Sequence, residues 1–363
     1  MSIFASPFSL LKNLEMMLMK YNNLGRTDIK VSEICLGSMT WGEQNSESEA
    51  HEQIEFALER GINFIDTAEL YAVPPKPKTQ GLTEKYIGTW LNKTGHRDKW
   101  ILATKVAGPG LNWIRNGDII TPNGIKEALE GSLKRLQTDY IDLYQLHWPN
   151  RGSFHFKNSW DFDASEQDKE QVITQMLETL QALGDLVKQG KIRHIGVSNE
   201  STWGIAKYLE LGKENNLPRM VSVQNEYSLL QRQFDLDLAE LSHHEDVGLL
   251  AWSPLAAGAL SGKYLNGACP KGSRGDISKD MWRHNEYSEP AIRAYYHLAK
   301  DYGLDPCQMA IAYCLTKPFM TSVIIGATNM AQLKNDIDAC ELKLSDDVIC
   351  KIENIHRNYP KPI

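Results

Sequence analysis

Long apolar runs are missing from this chain. Nothing in its 363 residues approaches the ~20 consecutive apolar residues that a membrane-spanning helix requires. Paired cysteine motifs are missing too. The six cysteines (Cys35, Cys269, Cys307, Cys314, Cys340 and Cys350) are scattered with no Cys-x-x-Cys, which argues against a disulfide or zinc framework and for reduced thiols in a cytoplasmic protein. Basic charge is in deficit: 39 Lys and Arg stand against 46 Asp and Glu, a net −7. A general nucleic-acid surface is therefore disfavoured, although a single anion pocket is compatible with it. No internal repeat and no Gly/Ser-rich linker divides the chain. The first strand-to-helix turn, LGSMTWGEQN, contains no G-x-G-x-x-G, so the usual mark of an open dinucleotide-binding sheet is absent. Any nucleotide must be held by another device.

What is present is alternation. Hydrophobic residues make up 42% and charged residues 23%, ordinary values for a globular protein. Strand-like runs fall at 31–36, 63–67, 100–104, 140–146, 192–197, 221–223, 248–251 and 321–325. Helical patterns lie between several of them, at 48–60, 82–91, 123–137, 170–190 and, after the last, 329–339. The helix over 123–137 is the clearest, with Ile125, Leu129, Leu133 and Leu136 on one stripe. Strands repeatedly followed by helices imply parallel pairing with helical crossovers. The expectation is a single-domain α/β protein, a (β/α)8 TIM barrel over residues 20–363, with an open doubly wound sheet as the alternative. Residues 1–19 read as an N-terminal extension, either a surface helix over 9–19 or a stretch upstream of a start at Met19. No basic residue precedes the apolar stretch 3–11, so it makes a poor secretory signal.

Four polar residues stand where a barrel enzyme places its chemistry, at the C-terminal ends of strands. The apolar run 62–65 ends in Asp66, and Tyr71 follows five residues later. The third strand leads into Lys105 and the fourth into His147. Each alone has an ordinary reading: a capping Asp, an exposed loop Tyr, a strand-end Lys, a satisfied core His. Together they suit proton transfer to a carbonyl. A phenol titrates near ~10 and is a reluctant acid. A nearby ammonium is expected to lower that value, and Asp66 to hold the ammonium. His147 would orient the carbonyl oxygen while Tyr71 protonates it.

The motifs GINFIDTAELY, the ATK ending of the third strand, SLKRLQTDYIDLYQLHWPN, GKIRHIGVSN, VQNEYSLL, WSPLAAGALSGKY and GATNMAQLKN together resemble the aldo-keto reductase superfamily. The segment YAVPPKPKTQGLTE after the tyrosine is similar to its Tas-type branch. The resemblance implies Asp66, Tyr71, Lys105 and His147 as the catalytic set, with NADP(H) extended along the C-terminal rim. It implies that Ser198, Asn199 and Gln224 hold the nicotinamide carboxamide and that Trp252 stacks on its ring. It implies that Ser253, Pro254, Leu255, Ala256, Ala257 and Gly258 let backbone approach the pyrophosphate. Lys263 and Arg274 would supply positive charge to it and to the 2′-phosphate. Gly326 and Thr328 open a helix whose N-terminus suits an anion, with Gln332, Asn335 and Asp336 near the adenine. Relatives often carry Asn where this chain has Asp336. Thr40 and Trp41, with Asp66, complete the expected cofactor set.

Trp41, Tyr71, His147 and Trp148 are the expected substrate pocket. The long loop 150–169 brings Phe154, Phe156, Trp160 and Phe162, either as an apolar mouth or as aromatics packed onto the barrel. The expected function is NADPH-dependent reduction of aldehydes or ketones, with a small-molecule carbonyl as partner and with no metal, nucleic acid or membrane. Rival readings are an NADPH-holding regulatory barrel with slow or vestigial activity, a Schiff-base enzyme using Lys105, and a non-catalytic barrel.

Overall fold

The computed structural model describes residues 19–278 and 281–363. The helix expected over 9–19 falls, apart from Met19, outside the described residues. Two short strands, β1 (Tyr21–Asn23) and β2 (Lys30–Ser32), form an antiparallel hairpin. Eight parallel strands then close a barrel: β3 (Ile34–Gly37), β4 (Phe64–Asp66), β5 (Ile101–Val106), β6 (Ile141–Leu146), β7 (Ile192–Ser198), β8 (Met220–Gln224), β9 (Gly248–Ala251) and β10 (Met320–Ile325). Their order is β10-β3-β4-β5-β6-β7-β8-β9. The chain is a (β/α)8 barrel.

The strand expected over 31–36 is in fact two. Ser32 Oγ donates to Ile34 O at 2.6 Å, and Glu33 N donates to Lys20 O at 2.8 Å. These local bonds turn the chain from the hairpin into the first stave. Leu24 and Val31 of the hairpin are buried with Phe64, Ala103, Leu143, Val221 and Leu250. They plug the lower end of the barrel.

That inner cluster explains where the polar residues go. Side chains of a strand alternate in direction, so residues two apart share a face. Phe64 and Ala103 belong to the inner cluster; Asp66 and Lys105, two residues further on, share their faces at the rim. Leu143 is followed in the same way by Gln145 and then His147.

The outer helices include α1 (Glu47–Glu59), α2 (Leu82–Thr94), α3 (Pro122–Leu136), α4 (Lys169–Lys188) and α5 (Thr202–Glu214). The helix α3 starts where expected: Thr121 caps it by accepting from Gly124 N, Pro122 occupies its first turn, and Ile125, Leu129, Leu133 and Leu136 are buried. After β8 come α6 (Asp237–Glu245), α7 (Arg274–Ser278), α8 (Glu289–Asp301), α9 (Pro306–Leu315), α10 (Met330–Asp338) and α11 (Asp346–Asn358). The helices α8, α9 and α11 build a second core under the loop after β9, and the terminal Ile363 is buried in it. Among the described residues no helix is long and apolar enough to cross a membrane, and no cluster of His, Cys, Asp and Glu suits a metal ion.

Candidate active site

The strands β4, β5 and β6 end side by side, with Lys105 paired to Gln145 across β5 and β6. Lys105 is fully buried. Its Nζ donates to Asp66 Oδ2 at 2.6 Å and to Thr67 O at 2.8 Å, and lies 3.4 Å from Tyr71 Oη. The other Asp66 oxygen accepts from Gln224 Nε2 at 2.8 Å and Gln145 Nε2 at 3.3 Å. Tyr71 sits in a loop fastened by Gly81 N donating to its carbonyl at 2.7 Å. The His147 ring meets Tyr71 edge-on, 5.7 Å between centroids. The four residues named from the sequence therefore converge.

Their electrostatics divide the work. Burial alone would lower the Lys105 pKa, but Asp66 and Tyr71 outweigh it and hold it above the ordinary lysine value. The ammonium is thus retained inside the barrel. Burial holds the His147 imidazole well below its usual range, and Lys105 adds to the effect, so the ring is neutral. Tyr71 departs from expectation. Lys105 does pull its pKa down, but burial is the larger influence and the phenol ends above its ordinary value. The resting site therefore holds Tyr71 protonated.

The cofactor residues expected on β7 and β8 gather beside this group. Asn199 donates through Nδ2 to His147 O at 2.8 Å and to Ser198 Oγ at 3.0 Å, while its Oδ1 is buried without a partner. Gln224 uses Nε2 on Asp66 and on Gln145 Oε1, the latter at 3.2 Å. Ser198 Oγ donates to Gln224 O at 2.7 Å. With these donors engaged, Asn199 and Gln224 offer amide oxygens, which match the NH₂ of a carboxamide. Trp252 lies under the Arg283 guanidinium, 5.3 Å from its ring centre, and stacks with Phe156 at 5.8 Å.

The loop after β9 suits an anion. Ser253, Ala256 and Ala257 adopt left-handed backbone at φ 54°, 48° and 56°, and Gly258 follows at 88°. Short left-handed stretches expose successive N–H groups and form anion-binding concavities. A Cβ added to Gly258 would lie 3.0 Å from Lys263 Nζ, which places that ammonium at the same loop. Pro254 and Leu255 lie within it. Arg274, opening α7, reaches across to Val73 O at 3.5 Å, next to the Tyr71 loop.

Other expected residues are otherwise employed. Trp41 is wholly enclosed, and its Nε1 donates to Gln53 of α1 at 2.9 Å. It packs into the core cluster between the barrel and its helices. Thr40 is also buried, its hydroxyl 3.4 Å from Ala327 O, so it fastens one rim loop to another. At α10, Gln332 Oε1 accepts from Thr328 N and Thr328 Oγ1, both at 3.0 Å, while Asn329 caps by accepting from Gln332 N. Part of the expected anion site beyond Gly326 is thus already self-capped. Asn335 binds Asp305 and Gln308 at 3.1 and 3.0 Å. Asp336 is buried, and burial with the nearby Asp305 raises it to about 7 against the opposing pull of Lys263.

Trp148 does stand at the mouth, 4.9 Å from His147 and bonded through Nε1 to Pro109 O at 3.0 Å. Gly108 makes room for it, since a Cβ there would meet the indole nitrogen at 2.3 Å. Sequence reasoning missed Gln145, although its position two before His147 was the available signal. It also missed the arginine clasps that fix the rim loops. Arg115 grips Glu69 at 2.8 and 2.6 Å, Arg283 grips Glu226 at 2.5 and 3.2 Å, and Arg151 grips Glu200. No local pattern marks such pairs.

Comparison with known proteins gives the family of the chain. The model of the Aldo/keto reductase family matches residues 33–357. The chain is 48% identical over 351 residues to Protein tas of Escherichia coli (strain K12), covering 95% of this chain and 99% of that one. It is 34% identical to the uncharacterized oxidoreductase YrpG of Bacillus subtilis (strain 168), covering 95% and 97%. An aldo-keto reductase of Babesia bovis is 36% identical, covering 73% of this chain and 98% of that one.

Proposed function

The chain belongs to the aldo/keto reductase family, and from that premise we propose that it is an NADPH-dependent reductase of aldehydes or ketones with Tyr71 as general acid. Residues 20–363 are its enzyme unit in this proposal, residues 1–19 precede it, and the free thiols suit the cytoplasm. The observation that carries the reading is the line from Asp66 through the buried Lys105 ammonium to Tyr71 Oη.

The residues fit the cofactor. Asn199 and Gln224 would take the carboxamide, the left-handed loop 253–258 with Lys263 the pyrophosphate, and Arg274 the 2′-phosphate. Bound there, NADPH supplies the hydride that reduces the carbonyl carbon. Tyr71 gives its proton to the carbonyl oxygen as negative charge develops on it. The phenolate left behind is stabilised by Lys105, which Asp66 and Thr67 O hold in place. His147, kept neutral, competes with no second positive charge and can turn an N–H toward the same oxygen. Trp148 packs beside it at the mouth.

The test is NADPH oxidation against a broad carbonyl panel, beside fluorescence titration of NADPH. General acid catalysis contributes ~10²–10⁴-fold, so Tyr71→Phe should lose about that much in kcat while NADPH affinity stays within a few-fold. Near-normal turnover by the Phe variant removes Tyr71 from the role. Tight NADPH binding without turnover of any carbonyl favours a nucleotide-holding barrel instead.

A further inference from the structure

The connection from His147 to Asp168 carries more aromatic surface than proton transfer requires. Phe156 meets Trp148 edge-on at 6.2 Å and stacks on Trp252 at 5.8 Å. With Trp148 against His147, an aromatic line crosses the mouth from the end of β6 to the end of β9. Phe156 is nevertheless 43% exposed, so its ring roofs the opening without being absorbed into the core.

We propose that Phe156 selects flat, conjugated carbonyl substrates, and that Lys361 of the C-terminal tail positions it. The proposal rests on the reductase reading above and names its substrate class. Aromatic rings favour offset-stacked and edge-to-face neighbours, so an aryl aldehyde entering beside Phe156 and Trp148 gains contacts that a short aliphatic aldehyde lacks.

The backbone explains why a remote residue is needed. Phe156 and Lys157 sit in left-handed conformation at φ 55° and 83°, a region non-glycine residues occupy only when their surroundings hold them. On one side the hold is local. His155 is buried under the loop and stacks on Phe154 at 4.3 Å, and Gln167 Nε2 closes the base on Arg151 O at 3.0 Å. On the other side it comes from 202 residues away. Lys361 Nζ donates to Ser159 O at 2.7 Å and lies over the Trp160 ring at 4.0 Å. The tail is itself anchored, because Ile363 is buried in the second core. Phe156 is thus pinned between a buried histidine before it and a tail-held turn after it.

The experiment uses the full chain with NADPH and two probes, 4-nitrobenzaldehyde and propanal. Phe156→Ala should lower the aryl-to-alkyl ratio of kcat/KM about 2- to 12-fold, mainly through KM, and Phe156→Tyr should keep the ratio. Lys361→Ala should shift the ratio the same way by a smaller factor and speed thermolysin cleavage within residues 150–168, and Lys361→Arg should restore both. An unchanged ratio in Phe156→Ala, with both aldehydes still turned over, overturns the substrate assignment and leaves the reductase reading intact. Unchanged loop cleavage in Lys361→Ala overturns the positioning role, a readout independent of turnover. If the unmodified chain reduces neither aldehyde nor any other carbonyl, the reductase reading itself falls, and the substrate assignment with it.

Discussion

Two neighbouring quarters of the barrel mouth differ in that the site atoms of one hold a paired charge network and those of the other do not. Around β4, β5 and β6 the charged groups are paired with one another: Lys105 Nζ is bonded to Asp66 and Thr67, and both Asp66 oxygens accept bonds, while the neutral Thr67 Oγ1 and Tyr144 Oη stand buried without partners. Around β7 and β9 buried atoms are left without partners, namely Asn199 Oδ1 and Trp252 Nε1, and His147 Nδ1 marks the border. An unsatisfied buried polar atom costs about 1–3 kcal/mol, so one that lies beside a site is a candidate for a ligand contact. The first quarter is preorganised before any ligand arrives. In the proposed reading the second is completed by the cofactor.

The largest expected effect comes from breaking the charge-paired quarter. Lys105→Met removes one partner of a buried ion pair, which typically costs about 3–5 kcal/mol because the remaining charge is stranded. It also strips away the one influence that draws the Tyr71 pKa down toward its ordinary value, against burial and Asp66. Turnover should fall by at least the ~10²–10⁴-fold of general acid catalysis, and the basic limb of the pH–rate profile should move upward. Asp66→Asn combined with Lys105→Met should be little worse than Lys105→Met alone, in both urea unfolding and kcat. Additive losses would show that the two do not act as a unit.

The first quarter was legible in the sequence, and the reason is periodicity. Asp66 and Lys105 lie two residues after inward-facing Phe64 and Ala103, and strand alternation is a local signal. The eight staves were legible on the same ground, except where Ser32 and Glu33 make local bonds that interrupt a run of strand formers. What remained hidden depends on long-range pairing or burial. The enclosure of Trp41 rests on Gln53 of α1, which accepts from its indole nitrogen and which no local pattern around Trp41 announces. The direction of the Tyr71 shift turned on desolvation, which no residue spacing encodes. The clasp between Arg115 and Glu69 joins residues 46 apart, and Lys361 reaches 202 residues back to Ser159.

A smaller effect is expected from the arm that reaches over the second quarter. Arg274 projects from α7 toward Val73 O, so its guanidinium lies between the loop after β9 and the Tyr71 loop. A guanidinium grips a phosphate through charge-assisted hydrogen bonds, worth ~1.5–3 kcal/mol or about 10- to 150-fold in affinity. Arg274→Ala should weaken NADPH by that factor in a fluorescence titration and leave NADH nearly unchanged. Equal loss for both places Arg274 on the pyrophosphate. Loss for neither removes Arg274 from cofactor binding.

The smallest effect isolates the unpartnered atom itself. Asn199 sits at φ 55°, a left-handed conformation that Ala resists and glycine adopts freely, so Asn199→Gly removes the side chain without adding backbone strain. In the proposed reading the lost Oδ1 would accept from the carboxamide that NADPH and NADH share, and a neutral hydrogen bond contributes about 0.5–1.5 kcal/mol. Both cofactors should therefore weaken by the same ~2- to 12-fold. The lost Nδ2 bonds to His147 O and Ser198 Oγ belong to the fold, so they should appear in the urea midpoint of the unliganded chain. If cofactor affinity is unchanged while the midpoint falls, Asn199 braces β6 against β7 and Oδ1 is no ligand group. A loss confined to NADPH would also sink the assignment, because nothing in a carboxamide distinguishes the two cofactors.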